Sequence, residues 1–197
     1  NSKLEDPDNR LNAHANRRRL DAEQLRDTIL AVSGELKLDV GGSNIAGAGD
    51  INANDFSAQN IEYKYEYADT RRSVYTPAFR NKRLEFFEVF DFGDINATQG
   101  ALNASNVAPQ SLYLLNNSFV IEQSRKAAAR VLDSSASDDD RLADAFRRSL
   151  GRGPTQKERA ACAKLLAPAG TDDARRLEAW SEIFQSLFGC IDFRYLE

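Results

Sequence analysis

Methionine is absent from the 197 residues, histidine occurs once, at His14, and cysteine occurs twice, at Cys162 and Cys190. Each scarcity removes a class of chemistry. A structural zinc site draws on three or four Cys or His ligands, and covalent c-type haem attachment needs Cys-x-x-Cys-His. Two distant cysteines and one histidine supply neither, so no cofactor is expected in this chain. A Ser-His-Asp relay would have to recruit His14, and no Gly-x-Ser-x-Gly elbow is present. No apolar run approaches the roughly 20 residues that cross a bilayer. Positive charge is also in deficit. Lys and Arg number 26 against 30 Asp and Glu, a net charge of −4, whereas a nucleic-acid surface is normally basic. The only dense basic cluster, Arg17 to Arg19, is followed by Asp21 and Glu23 and reads as a set of ion pairs at a helix entry. The lack of methionine and the opening NSKLEDPD read as a piece cut from a longer protein, whose targeting signal would lie elsewhere.

What is there is the composition of a globular protein, 42% hydrophobic and 28% charged, with enough chain for a sizeable core. Asp21 with Gln24 has capping-box spacing, and Leu25, Ile29, Val32 and Leu36 recur at helical intervals, predicting a helix over about 21–34. Leu4 and Leu11 are candidate anchors for the polar stretch before it. Gly41, Gly42, Gly47 and Gly49 mark a loop without the Gly-Lys-Ser/Thr of a phosphate cradle. From Ile61 to Tyr67, apolar and charged residues alternate, which predicts a strand. A second strand from Arg71 to Thr76 would make a hairpin with it.

Leu84, Phe86, Phe87, Val89 and Phe90 form an aromatic-rich turn or helix. A long Asn/Ser/Thr loop over 91–108 follows, and loops of that length in compact domains are usually functional or disordered. Pro109 suits the first turn of the next helix. Another helix is expected from Phe119 to Leu132. After a polar linker, Ser137 is a candidate N-cap with three aspartates behind it, and Thr155 with Glu158 is a second capping box. Residues 137–189 therefore predict three consecutive helices, with Trp180 buried. The fold class is mainly α, at the margin of α+β: a helical domain with one small antiparallel hairpin. Its two parts are a helix, hairpin and loop core over 1–133 and a C-terminal helical subdomain over 137–197.

The stretch around the polar loop holds the candidate site. Asp91 and Asp94, with Glu85 and Glu88 behind them, could act as a carboxylate pair on a glycosidic bond, or serve as caps and ion-pair partners. Asp91-Phe92-Gly93 matches a kinase metal tripeptide, but no other kinase element accompanies it. Asp94, Asn96 and Thr98 alternate as calcium ligands could, yet the glycine and glutamate of an EF-hand loop are missing, so no metal is expected. Asn96, Asn103 and Asn116 head Asn-x-Ser/Thr triplets that serve the loop backbone. Consecutive Arg71 and Arg72 leave opposite faces of a strand, and at least one is expected to tie Asp91, Asp94 or loop carbonyls between 91 and 108. Tyr75 and Gln110 complete the set expected to organise the loop. Cys162, on a face with Leu165 and Leu166, reads as a small buried hydrophobe, with a Cys162–Cys190 disulfide as the alternative.

Several strings together resemble a C-terminal, planctomycete-specific domain of unknown function. These are NRRRLDAEQLRDTILAVSGEL at 16–36, RRSVYTPAFRN at 71–81, FFEVFDFGDINAT at 86–98, NVAPQSLYLLNNSFV at 106–120, LADAFRRSLGRGPTQKE at 142–158 and the closing FRYLE. That domain is found in large exported proteins that often carry a cytochrome-c-like domain. The resemblance implies a mostly helical, periplasmic or cell-surface bacterial module with no established activity. Where relatives show Thr-Cys and an arginine-bearing segment, this chain reads Thr98-Gln-Gly-Ala-Leu102. Near the end, Gly189-Cys-Ile-Asp192 replaces an Asn-Ser-Asn-Glu run. The leading reading is a structural or interaction module partnering other domains, another exported protein or a polysaccharide. The rivals are a polysaccharide hydrolase using Asp91 and Asp94, and a docking module for a cytochrome domain.

Overall fold

A computed structural model describes residues 6, 8–11, 16–45, 62–100, 105–134 and 137–196. Leu4, His14, Gly47, Gly49, Ile61 and Asn103 lie outside the described residues. The chain runs through β1 (Arg18–Arg19), α1 (Ala22–Ser33), a 3-10 turn (Ser73–Tyr75), α2 (Glu85–Val89), α3 (Ala108–Asn116), α4 (Ser118–Leu132) and α5 (Asp138–Leu150). It continues through α6 (Gln156–Leu166), α7 (Asp173–Gly189), a 3-10 turn (Ile191–Arg194) and β2 (Tyr195–Leu196). The fold is mainly α.

The helix boundaries follow from local chemistry. Asp21 accepts from the Gln24 N–H at 2.7 Å while the Gln24 side chain accepts from the Asp21 N–H, so two orphan donors of α1 are satisfied reciprocally. Gly34 ends α1 at φ 86°, and the Glu35 N–H returns to the Leu30 carbonyl at 2.9 Å, a C-terminal lock that left-handed glycine permits. Asn117 closes α3 and caps α4, accepting from the Phe119 N–H. Ser137 caps α5, whose first turn holds three aspartates and whose last turn holds Arg147 and Arg148, the charge order a helix dipole favours.

The α6 entry carries a measurable pH signature. Thr155 and Glu158 form the capping box, and Arg152 clasps both Glu158 oxygens at 2.8 and 2.9 Å. The Arg152 hydrogen bonds hold the Glu158 carboxyl down to about 2, from an ordinary 4.5. Because the folded-state value lies below the unfolded one, this stabilisation is complete above about pH 4.5 and is lost as pH falls towards 2. Urea titrations at stepped pH should show Glu158→Gln with a shallower loss of stability than the parent across that interval. Parallel curves would mean that the clasp contributes nothing.

One buried cluster takes residues from α1 through the last 3-10 turn, with Trp180 at its centre at 0% exposure. α7 packs most extensively on α4, and α4 packs next on α1. Ile29, Val32, Val120, Ala127, Phe184 and Phe188 fill that interface at helical spacing. The aromatic segment before the polar loop delivers Phe86, Phe87 and Phe90 into the same core, as its composition predicts. Leu112 and Leu115 of α3 face solvent, and of its three leucines only Leu114 is buried.

The hairpin expected at 61–67 and 71–76 does not form. Residues 62–64 are helical, 65–70 have no regular structure, and 73–75 are a 3-10 turn. The alternation misleads because Glu62, assigned to the solvated face, is buried and accepts from the backbone N–H groups of Asn81 and Lys82. The Lys82 ammonium takes the carbonyls of Tyr63 and Tyr65, which a partner strand would have used. Tyr65 packs edge-on against Tyr67 and Phe79. Antiparallel pairing occurs elsewhere, joining the two ends of the chain: Arg18 lies opposite Leu196 and Arg19 opposite Tyr195. The Arg17 to Arg19 cluster thus enters a strand, not a helix. Leu11 is exposed and is not the expected anchor. Asp6 is the buried residue there, accepting from the Arg10 and Leu11 N–H groups.

Candidate functional site

The first residue of the polar loop is its keystone. After α2 the chain reverses through Asp91 at φ 63°, a left-handed conformation that aspartate tolerates better than most residues. The Phe92 N–H returns to the Phe87 carbonyl at 3.0 Å, and the two rings stack with centroids 4.7 Å apart. The turn aims the Asp91 carboxylate inward. Four donors meet it there: the Ser105 N–H at 2.9 Å, the Ser105 hydroxyl at 2.8 Å, Gln110 Nε2 at 3.2 Å and Arg19 Nη1 at 3.2 Å. Burial pushes this carboxyl's pKa up, but the two Ser105 hydrogen bonds, the Arg19 charge and Gln110 outweigh it, and the net shift is downward. Asp91 is therefore an ionised acceptor, with Oδ2 taking the Ser105 N–H, Gln110 and Arg19 and Oδ1 the Ser105 hydroxyl.

Gln110 is the hub. It is wholly buried, in the first turn of α3. Its Nε2 donates to the Val89 carbonyl, Asp91 and Ser105, joining both ends of the loop. Its Oε1 accepts from Arg19 and Arg194 at 3.2 and 3.3 Å. Arg194 also donates to Ser111 at 2.7 Å, and the Tyr195 hydroxyl accepts from the Asn106 amide. The loop, the start of α3 and the β1–β2 pair are thereby locked as one polar unit.

Asp94 does not join Asp91. It closes a local turn, accepting from the Asn96 N–H at 2.9 Å, and pairs with Arg83 at 3.5 Å on the surface. The Asn96 hydrogen bond, more than Arg83, lowers its pKa. Thr98 is exposed nearby. Among the described residues no cluster of three or more acids, cysteines or histidines could hold a metal.

The expected arginines serve a different loop. Arg71 donates to Asn44 at 2.8 Å, to the carbonyls of Asp39 and Gly41, and stacks 4.0 Å over the Tyr75 ring, while the Tyr75 hydroxyl accepts from the Gly41 N–H. Among the described residues, the ion pair of Arg72 is with Asp27, at 4.0 Å. Among the described residues, neither touches Asp91, Asp94 or the rest of the loop. The cation at Asp91 is Arg19, a member of the basic cluster that the sequence places at a helix entry. The available signal was the surplus of three arginines over the two acids following them.

Cys162 and Cys190 are free thiols, not a disulfide. Both line an apolar cavity of about 270 Å³ between α5, α6 and α7, and burial raises the Cys162 pKa. Larger openings lie elsewhere: about 450 Å³ beside Asp138, Arg159 and Arg176, and about 600 Å³ beside Thr28, Arg72, Arg130 and Arg148. Neither opening is lined by Asp91 or Asp94.

A family profile described as PSD1, protein of unknown function (DUF1553), matches residues 1–166. No curated protein and no solved structure matches the chain.

Proposed function

The chain belongs to this family of unknown function, and we propose that it acts in it as a structural or interaction module of a larger exported protein, not as a hydrolase. The occupied carboxylate of Asp91 carries this reading. A glycosidase acid or nucleophile must present a free oxygen to substrate, with a second carboxyl placed across the scissile bond. Asp91 spends its oxygens on Ser105, Gln110 and Arg19, and Asp94 spends one on its own turn. An acid tied in this way builds a loop. The N-cap residue Val107 and Leu112 and Leu115 of α3 face outward, and α4 presents Ile121. That apolar exposure suits contact with an adjoining domain or a second exported protein.

Incubating the chain with neutral and acidic exopolysaccharides and assaying reducing ends tests the proposal. The expected result is no release above the blank, together with co-elution of the chain with the flanking part of its polypeptide supplied separately. Release abolished by Asp94→Asn in a variant with unchanged thermal unfolding would overturn the module reading in favour of the hydrolase.

A further inference from the structure

Arginine is concentrated at one opening that the loop network does not use. The cleft of about 600 Å³ along α1 is lined by Arg72, Arg130 and Arg148 and by one carboxylate, Asp27. The three arginines come from separate elements: Arg72 heads the first 3-10 turn, and Arg130 and Arg148 stand in the last turns of α4 and α5. Asp27 is already engaged. Its Oδ1 accepts from the Ser73 N–H and hydroxyl, and Arg26 lies 3.8 Å away. Arg148 pairs through Nε with Asp144 at 2.6 Å. Arg130 spends Nη1 on the carbonyls of Ala31 and Val32 at the end of α1. Gly34 makes room for it, since a β-carbon there would meet that nitrogen at 3.0 Å.

The arrangement leaves donors and charge to spare. Among the described residues, both Nη groups of Arg72 and of Arg148, and Nη2 of Arg130, carry no hydrogen bond. Arg26, Arg72, Arg130 and Arg148 against Asp27 and Asp144 leave two positive charges in excess. A smaller opening of about 360 Å³ shares Arg130 and Arg148 but sets three arginines against two aspartates, so charge favours the side of Arg72. The floor between the arginines is aliphatic, made by Leu20, Ala31, Val32, Leu36 and Leu196. Among the described residues no aromatic ring lines the cleft, so it has no platform on which a base or sugar ring would stack.

We propose that this cleft binds a small aliphatic dicarboxylate, with its carboxylates forked by the arginines and its chain laid along the leucine and valine floor. The volume lies in the range of small-molecule sites, and it is more than an inorganic oxyanion fills. Guanidinium groups match carboxylates with two parallel N–H···O bonds. Two carboxylates answer the excess of two charges, and an aliphatic chain answers the floor.

The test is titration calorimetry of the whole chain at constant ionic strength with succinate, adipate and suberate. At least one of the three should bind one-to-one and saturably, with Kd below about 1 mM. Octanoate, which has one carboxylate, and inorganic phosphate, which has no chain, should each bind at least about tenfold more weakly. Arg72→Gln and Arg148→Gln should each weaken the dicarboxylate at least about tenfold. Their side chains are 58% and 43% exposed, so both variants should fold, which thermal unfolding checks. Arg148→Lys keeps the charge and loses the fork, and should recover only part of the affinity. Arg175→Gln, exposed on α7 and outside the cleft, should bind as the parent does. No saturable binding of any of the three acids, equal affinity for octanoate or phosphate, or an affinity unmoved in both glutamine variants would overturn the site.

Discussion

Replacing Asp91 with alanine is expected to destabilise the fold by about 3 kcal/mol, the lower end of the cost of breaking a buried ion pair, because about a fifth of its side chain still meets solvent. The loss has separable parts. Arg19 is left beside Arg194 with no carboxylate, and the Ser105 N–H loses its acceptor, as does one of the Gln110 amide contacts. Alanine also pays for the left-handed backbone at φ 63°, about 1 kcal/mol. Asp91→Asn isolates the charge, since asparagine adopts that conformation and keeps one acceptor. Its expected loss is smaller by about 1 kcal/mol. The carboxyl's folded-state pKa is depressed, so its contribution is present above the ordinary carboxylate range and disappears as pH falls through the depressed value. Urea unfolding at neutral pH and at pH 3 measures both effects. If Asp91→Ala unfolds within about 0.5 kcal/mol of the parent, as surface substitutions do, the network does not hold the loop. The acid would then be free for chemistry, and the hydrolase reading would regain support.

Sequence signals and structure agree where the physics is local. The capping boxes at Asp21 and Thr155 and the Ser137 cap each depend on residues within a turn or two, and the structure has the corresponding helices. The hairpin at 61–76 failed because period-two alternation shows which side chains share a face, not whether a partner strand exists. Lys82 Nζ takes the Tyr63 and Tyr65 carbonyls that a ladder would have used, while the Glu62 carboxylate turns inward to the N–H groups of Asn81 and Lys82. The candidate site was legible in its members more than in its connections. Asp91 and Gln110 organise the loop, but the arginine that completes them lies 72 residues upstream in β1, and Arg194 arrives from the other end of the chain. A guanidinium reaches any carboxylate the fold brings near, so sequence neighbourhood says little about its partner. Arg71 and Arg72 sit beside the loop in sequence and serve Asn44, the 39–41 carbonyls and Asp27 instead.

Arg26 is the second residue whose removal should be felt throughout the molecule. It lies on the inward face of α1, 4% exposed, at a position that helical periodicity alone marks only as a neighbour of Leu25. Its Nη1 donates to the Arg71 carbonyl and to Ser73 Oγ, both at 3.1 Å, and its Nη2 donates to the Asp69 carbonyl. Asp27 alongside accepts from the Ser73 N–H and hydroxyl at 2.7 Å, so the two adjacent side chains together pin residues 69–73 to the helix. Burial lowers the Arg26 pKa, with Asp27 and Asp69 opposing the shift. Arg26→Met keeps an unbranched apolar stem and removes only the donors. It also removes the cost of burying a charge, so the expected loss is set by the carbonyls and hydroxyl left without a donor, about 3 kcal/mol in all. Arg26→Lys supplies a compact point charge that cannot fork to three acceptors, and about half of that loss is expected. Arg26→Ala, which adds a cavity beside Phe119, should lose the most. Limited trypsin digestion gives the local readout. Cleavage after Arg71 and Arg72 should accelerate in the order Lys, Met, Ala under native conditions, ahead of cleavage in α4 or α7. Cleavage that accelerates equally at all sites would mean that Arg26 supports the fold globally and does not pin this segment.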